Sequence, residues 1–246
     1  MALQTYTDAV LEIIAACEQL GGSSSIGSIS RHIEALSVSA HNIRSAERYS
    51  SSQLYLDWKS SSSANQFLWL RGPPNSGKTT KAIQIVKQLN DETSFSEGEV
   101  VLCFLCSKEP STSASIILRS AIAQLILRCP TTTAIPDDDK DALLKALNPK
   151  IHTKLPVLWM LLRQILQASS ECTIHWVIDG LDALPADELD QLVRGLRSLW
   201  DAWNRPPCSK AIWLKILVTS LPYAAIFREG FADLPYVAPD EEVLGL

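Results

Sequence analysis

The chain is poor in several things, and each shortage closes a class of function. No run of Lys or Arg occurs anywhere, and the formal net charge is −5. A polyanion-binding face needs a local excess of positive charge, so the balance argues against nucleic acid or an anionic membrane as the main partner. Apolar stretches stay short. Leu155 to Leu162 and Thr173 to Ile178 fall well below the roughly 20 residues that span a bilayer. The opening Met1-Ala2-Leu3-Gln4-Thr5-Tyr6-Thr7-Asp8 lacks the basic start of a secretory signal. These absences lead to the expectation of a cytoplasmic protein with no membrane partner.

Cysteine is sparse, at six residues: Cys17, Cys103, Cys106, Cys129, Cys172 and Cys208. No second Cys pair or Cys/His set completes a zinc site. Cys103 and Cys106 have the spacing of a redox pair but lie in the apolar run from Val100. Residues i and i+3 of a strand point to opposite faces, so both read as buried strand cysteines. Asp137-Asp138-Asp139 reads as a solvated loop or a helix start rather than a metal site. There is no internal repeat.

What is present begins with composition. Hydrophobic residues make up 46% of 246, enough for a proper core in one large domain or in one domain with a smaller appendage. Strands are expected at 67–71, 99–106, 173–179 and 211–220, with a short fifth over 234–238. Between them, helices are expected from Lys78 to about Asn90, at 112–128, at 155–168 with Pro156 in the first turn, and from Asp187 to about Trp203. Glu188 and Asp190 suit the positive end of that last helix. A short helical piece is expected at 54–58. Alternating strands and helices imply a mostly parallel sheet covered on both faces. The fold class expected is therefore α/β, a three-layer P-loop NTPase sandwich. Amphipathic helices over 5–20 and about 28–49 would precede it, dividing the chain into an N-terminal helical segment, 1–50, and a nucleotide-binding domain, 51–246.

Gly72-Pro73-Pro74-Asn75-Ser76-Gly77-Lys78-Thr79 reads G-x-x-x-x-G-K-T, the phosphate-binding loop. A strand-like run precedes it and Ile83, Val86 and Leu89 follow at helical spacing, the context this motif requires. Backbone N–H groups of such a loop wrap a polyphosphate at the positive end of a helix. Gly72 and Gly77 permit tight backbone approach, and Asn75 tolerates left-handed angles better than most residues. Lys78 supplies charge for the outer phosphates and Thr79 a hydroxyl for Mg²⁺; Thr80 completes the expected binding stretch. The second half of the site is Thr173-Ile174-His175-Trp176-Val177-Ile178-Asp179, an apolar strand delivering a carboxylate for the metal to the sheet edge where the loop sits. His175, mid-strand, reads as a structural histidine. No Asn-Lys-x-Asp motif appears, which favours adenine over guanine. The expected cofactor is ATP or ADP with Mg²⁺.

Three segments together resemble the NACHT group of signalling NTPases, in the STAND class of AAA-related ATPases. They are the phosphate loop, Ile178-Asp179-Gly180-Leu181-Asp182-Ala183-Leu184, and Lys215-Ile216-Leu217-Val218-Thr219-Ser220-Leu221-Pro222. With Trp58, Phe67-Leu68-Trp69-Leu70, Cys103-Phe104-Leu105 and Leu118-Arg119-Ser120, the chain is most similar to the nephrocystin-type N-terminal domain of fungal NOD-like receptors. The resemblance implies an ATP/ADP-binding signalling switch whose output is self-association or contact with other signalling proteins. It also implies an acidic residue where Ala183 stands, to polarise the attacking water, and an Arg where Leu221 stands, to sense the γ-phosphate. Asp182 remains as the candidate catalytic group, and hydrolysis is expected to be slow or absent. Family members usually continue into a winged helix and a repeat-built sensor; these are expected to be missing here, as in a solitary member or one piece of a longer receptor. Two other readings stay open. One is an interaction scaffold that has lost nucleotide, and the other is a small P-loop kinase, although no Arg-rich lid is evident.

Overall fold

The strands are almost continuous apolar runs, Phe67-Leu68-Trp69-Leu70 and Val100 to Leu105 among them, which suits strands buried on both sides. In the computed structural model, which describes residues 49, 52–60, 66–93, 98–106, 112–128, 143, 145–148, 151, 153–169, 172–204, 212–222, 230–231 and 233–238, they become the middle layer of a sandwich. The helices expected over 5–20 and 28–49 lie outside these residues, Tyr49 apart, as does Asp137-Asp138-Asp139.

The order is α1 Gln53–Ser60, β1 Gln66–Arg71, α2 Lys78–Thr93, β2 Glu99–Leu105, α3 Ala114–Arg128, α4 Leu155–Ala168, β3 Thr173–Asp179, α5 Ala186–Trp203, β4 Trp213–Ser220 and β5 Tyr236–Val237. A 3-10 turn, Leu181–Ala183, joins β3 to α5. The sheet runs β2-β3-β4-β1-β5, and every pairing is parallel. Each expected strand is present within two residues at either end, and the expected mostly parallel sheet is wholly so among the described residues.

Period-two alternation sorts each strand between two cores. Phe67, Trp69, Leu102, Trp176 and Ile216 face the larger one, which α3, α4 and α5 complete. Leu68, Leu70, Cys103, Val177 and Leu217 face the smaller, completed by α1 and α2 with Ile83, Val86 and Leu89. On that smaller side, the strand residues not taken by hydrophobic packing are polar and buried: His175 and Lys215 at one end, Asp179 and Thr219 at the other. Lys215 Nζ donates to Lys59 O at 3.0 Å, tying the end of α1 to the sheet. His175 stands 3.7 Å from Glu99 and edge-on to Trp58, far along β3 from Asp179.

Cys103 is buried, and burial pushes its thiol up to about 12. Cys106 lies one residue beyond β2 and is partly exposed, a correction to the expected buried strand cysteine. Its N–H still donates to Asp179 O at 2.9 Å. Glu188 does something beyond what was expected of it. It sits in the first turn of α5, but its carboxylate accepts the Ala114 N–H at 2.7 Å and so caps α3.

The outer border of β2 is occupied by side chains. Gln124 of α3 accepts from Cys103 N–H at 3.0 Å and donates to Cys103 O at 2.9 Å, while Arg128 donates to Val101 O at 2.6 Å.

Between α4 and α5 the contact is close: a Cβ at Gly195 would overlap the indole of Trp159. Trp159 is held in turn against Trp176, with ring centroids 6.4 Å apart. Gly195→Ala is expected to cost about 1–3 kcal/mol, the usual penalty for overpacking, read as a lower urea midpoint with an unchanged slope.

Candidate functional site

Parallel strands all point their C-terminal ends to one edge, and the loops there make the site. The register sets Arg71 beside Ser220, Ile178 beside Val218 and Leu105 beside Asp179. The phosphate loop leaves β1 at this edge, with β4 standing between β1 and β3. The topology therefore brings together residues some hundred positions apart.

Gly77 (φ 88) and Asn75 (φ 62) are both left-handed, and Asn75 is the one such non-glycine among the described residues. Gly72 is needed for close approach instead. A Cβ there would lie 2.5 Å from the Tyr49 hydroxyl and 2.6 Å from Ser76 Oγ. Lys78 opens α2 and curls back over the loop, donating to Gly72 O at 2.7 Å, Pro73 O at 2.8 Å and Ser76 Oγ at 3.3 Å. Burial lowers its ammonium pKa, opposed by Asp182 and Asp179. Pro74, Asn75 and Thr79 are exposed, while Thr80 is buried on the inner side of α2. The Thr80 side chain thus packs inward rather than lining the open rim.

Asp179 is 3% exposed. Thr219 Oγ1 donates to its Oδ1 at 2.5 Å and accepts the Gly180 N–H at 2.9 Å. Burial raises the Asp179 pKa, against hydrogen bonds from Thr219 and Thr79 and the charge of Lys78. Asp182 lies in the following turn, its Oδ1 accepting the Leu221 N–H at 3.0 Å. Lys78, Thr79, Asp179 and Asp182 therefore form one electrostatically connected group. Among the described residues no group of three or more His, Cys, Asp or Glu could hold a metal ion. A divalent cation at Asp179 would draw further oxygens from a ligand and water, the usual habit of Mg²⁺. The donor set and the cradle fit such a pair.

Two residues of the site were not legible in the sequence. Thr219 is visible only once the register puts β4 beside β3. Tyr49 touches the loop from 27 positions away, and no local pattern marks it.

The raised Asp179 pKa has a consequence for stability. Below the unfolded value of 3.8 the carboxyl is protonated in both states and nothing is lost. As pH rises the unfolded chain ionises first, so stability falls until the folded group ionises too, and the deficit persists above that. Asp179→Asn is expected to stabilise the protein at pH 7 by about 0.5–2 kcal/mol and to flatten that decline, measured by urea midpoints at pH 4 and pH 7.

Among known proteins, the profile of the family described as "Nephrocystin 3, N-terminal" matches residues 45–220. No curated protein matches the chain. The ADP form of the Aeropyrum pernix ORC2 protein is similar at 16% identity and a TM-score of 0.40, over 75% of this chain and 45% of that one. Drosophila ORC bound to GC-rich DNA and Cdc6 is similar at 11% identity and 0.36, over 97% and 34%. Drosophila ORC bound to DNA is similar at 13% identity and 0.35, over 99% and 36%. This chain spans less than half the length of each.

One expectation is corrected here. Net charge argued against nucleic acid, yet the Drosophila structures similar to this chain are of ORC bound to DNA. A charge of −5 is a sum over the whole chain and leaves any single face undetermined, so the exclusion does not stand. No helix among the described residues is long and apolar enough to cross a membrane. The matched span, residues 45–220, takes in Tyr49, the phosphate loop, Asp179 and the end of β4, and the chain belongs to the nephrocystin 3 N-terminal family.

Proposed function

We propose that this chain is a cytoplasmic ATP/ADP-binding switch domain of the NOD-like receptor type, with weak or lost hydrolysis and self-association as its output. The single observation that carries the nucleotide reading is the cradle itself. A loop with left-handed residues at Asn75 and Gly77 leads into α2 beside a buried carboxylate that Thr219 and Thr79 hold in place.

The residues from Gly72 to Gly77 would receive the polyphosphate, and Lys78 would turn from the loop carbonyls to its outer oxygens. Thr79 and Asp179 would hold Mg²⁺, with Thr219 fixing the Asp179 rotamer. The metal neutralises charge on the phosphates when bound. Ionised Asp179 is poorly solvated where it lies, and a cation beside it offsets that cost. The absence of a guanine motif supports adenine. The NACHT resemblance supports a signalling role over a kinase.

Calorimetric titration of the full chain with Mg·ATP and Mg·ADP tests the reading. Saturable heat with a stoichiometry near one is expected for both. No heat at protein concentrations of about 100 μM, where even weak sites register, would favour a scaffold without nucleotide.

A further inference from the structure

We infer that Tyr49 is a positioning residue, holding the phosphate loop from behind and registering whether it is filled. The inference rests on the nucleotide reading above.

Tyr49 is wholly buried. Its hydroxyl lies 3.0 Å from Ser76 Oγ and donates to Arg71 O at 3.4 Å. It thus touches the last residue of β1 and the middle of the loop together. Gly72, between these two, has room for no side chain on account of the same hydroxyl. The phenol therefore fixes the height at which the loop leaves the sheet.

The link to occupancy runs through Ser76. An ammonium has three protons and no lone pair. Lys78 directs its protons to Gly72 O, Pro73 O and Ser76 Oγ. An anion that draws Lys78 outward takes it from these acceptors. Ser76 Oγ then loses a donor while the Tyr49 hydroxyl stays within reach. Filling the cradle therefore changes the hydrogen bonding of a phenol that no ligand touches. In the other direction, a loop without that phenol is less well fixed, and some binding energy goes into ordering it.

The test uses the full chain in two measurements. Fluorine NMR of protein carrying 3-fluorotyrosine follows Tyr49, its resonance assigned by elimination with Phe variants of Tyr6, Tyr55, Tyr223 and Tyr236. Calorimetry compares wild type with Tyr49→Phe, which keeps the ring and removes only the hydroxyl. The Tyr49 resonance is expected to move on saturation with Mg·ADP. Tyr49→Phe is expected to weaken binding by about 3–10-fold, the range of one net hydrogen bond. A resonance that stays put at saturation, or a variant that binds within about twofold of wild type, overturns the inference and leaves the nucleotide reading intact. If wild type gives no saturable heat, the nucleotide reading fails first and the inference falls with it. The wild-type spectrum decides the matter if the variant does not fold.

Discussion

Lys78→Ala is expected to raise the dissociation constant for Mg·ATP and Mg·ADP by about 100-fold or more while leaving the fold standing. Truncating one partner of a desolvated charged pair costs on the order of 3 kcal/mol, and each 1.4 kcal/mol is about tenfold. The cost to stability is small for a different reason. The Lys78 ammonium is itself penalised by burial, and two of the three loop oxygens it leaves belong to the half-buried Pro73 and Ser76, with only Gly72 buried. Its removal trades three hydrogen bonds for solvation, a change of about 0.5 kcal/mol or less, as for most surface substitutions. Calorimetry and a urea midpoint on the same sample separate the two effects. Unchanged affinity in Lys78→Ala would remove the cradle from the account of this protein.

The second large effect concerns turnover. Wild type is expected to hydrolyse bound ATP about 10²–10⁴-fold more slowly than relatives with a positioned base. By the resemblance to the NACHT group, Ala183 and Leu221 stand where an acid and an arginine are expected. The structure adds that Asp182, the remaining carboxylate of the turn, already accepts the Leu221 N–H. Its Oδ1 braces the turn against the end of β4, which makes it a poor substitute base. Ala183 is half-exposed at the close of the 3-10 turn, so a longer side chain has room there. Ala183→Glu is expected to raise the single-turnover rate by about 10²-fold, the lower end for general-base assistance, without tightening binding. Wild-type turnover at the rate of active relatives, or no gain in the variant, would show that the departures do not limit the reaction.

The elements were readable in the sequence because strands buried on both faces and helices at 3.6-residue spacing leave strong local patterns. Leu155–Ala168 came out as expected to the residue, with Pro156 marking its start. The phosphate loop was readable for the same local reason, down to the left-handed Asn75. Longer-range choices were not. Glu188 looked like a partner for its own helix dipole, sits in that first turn as expected, and also caps α3 across the fold. Cys106 looked like strand interior, but β2 stops one residue short of it. Thr219 and Tyr49 gain their roles only from three-dimensional neighbours. The charge sum misled on nucleic acid because a total carries no position.

The amide of Gln124, clasping both polar groups of Cys103, has a consequence for assembly. It stands in for a neighbouring chain at the β2 margin, and Arg128 blocks the next rung. An extended peptide arriving there would meet hydrogen-bonding sites already spoken for. Among the described residues, sheet-to-sheet growth of a multimer is therefore disfavoured at the middle of β2, which leaves helical faces and the short β5 flank as the better surfaces for it.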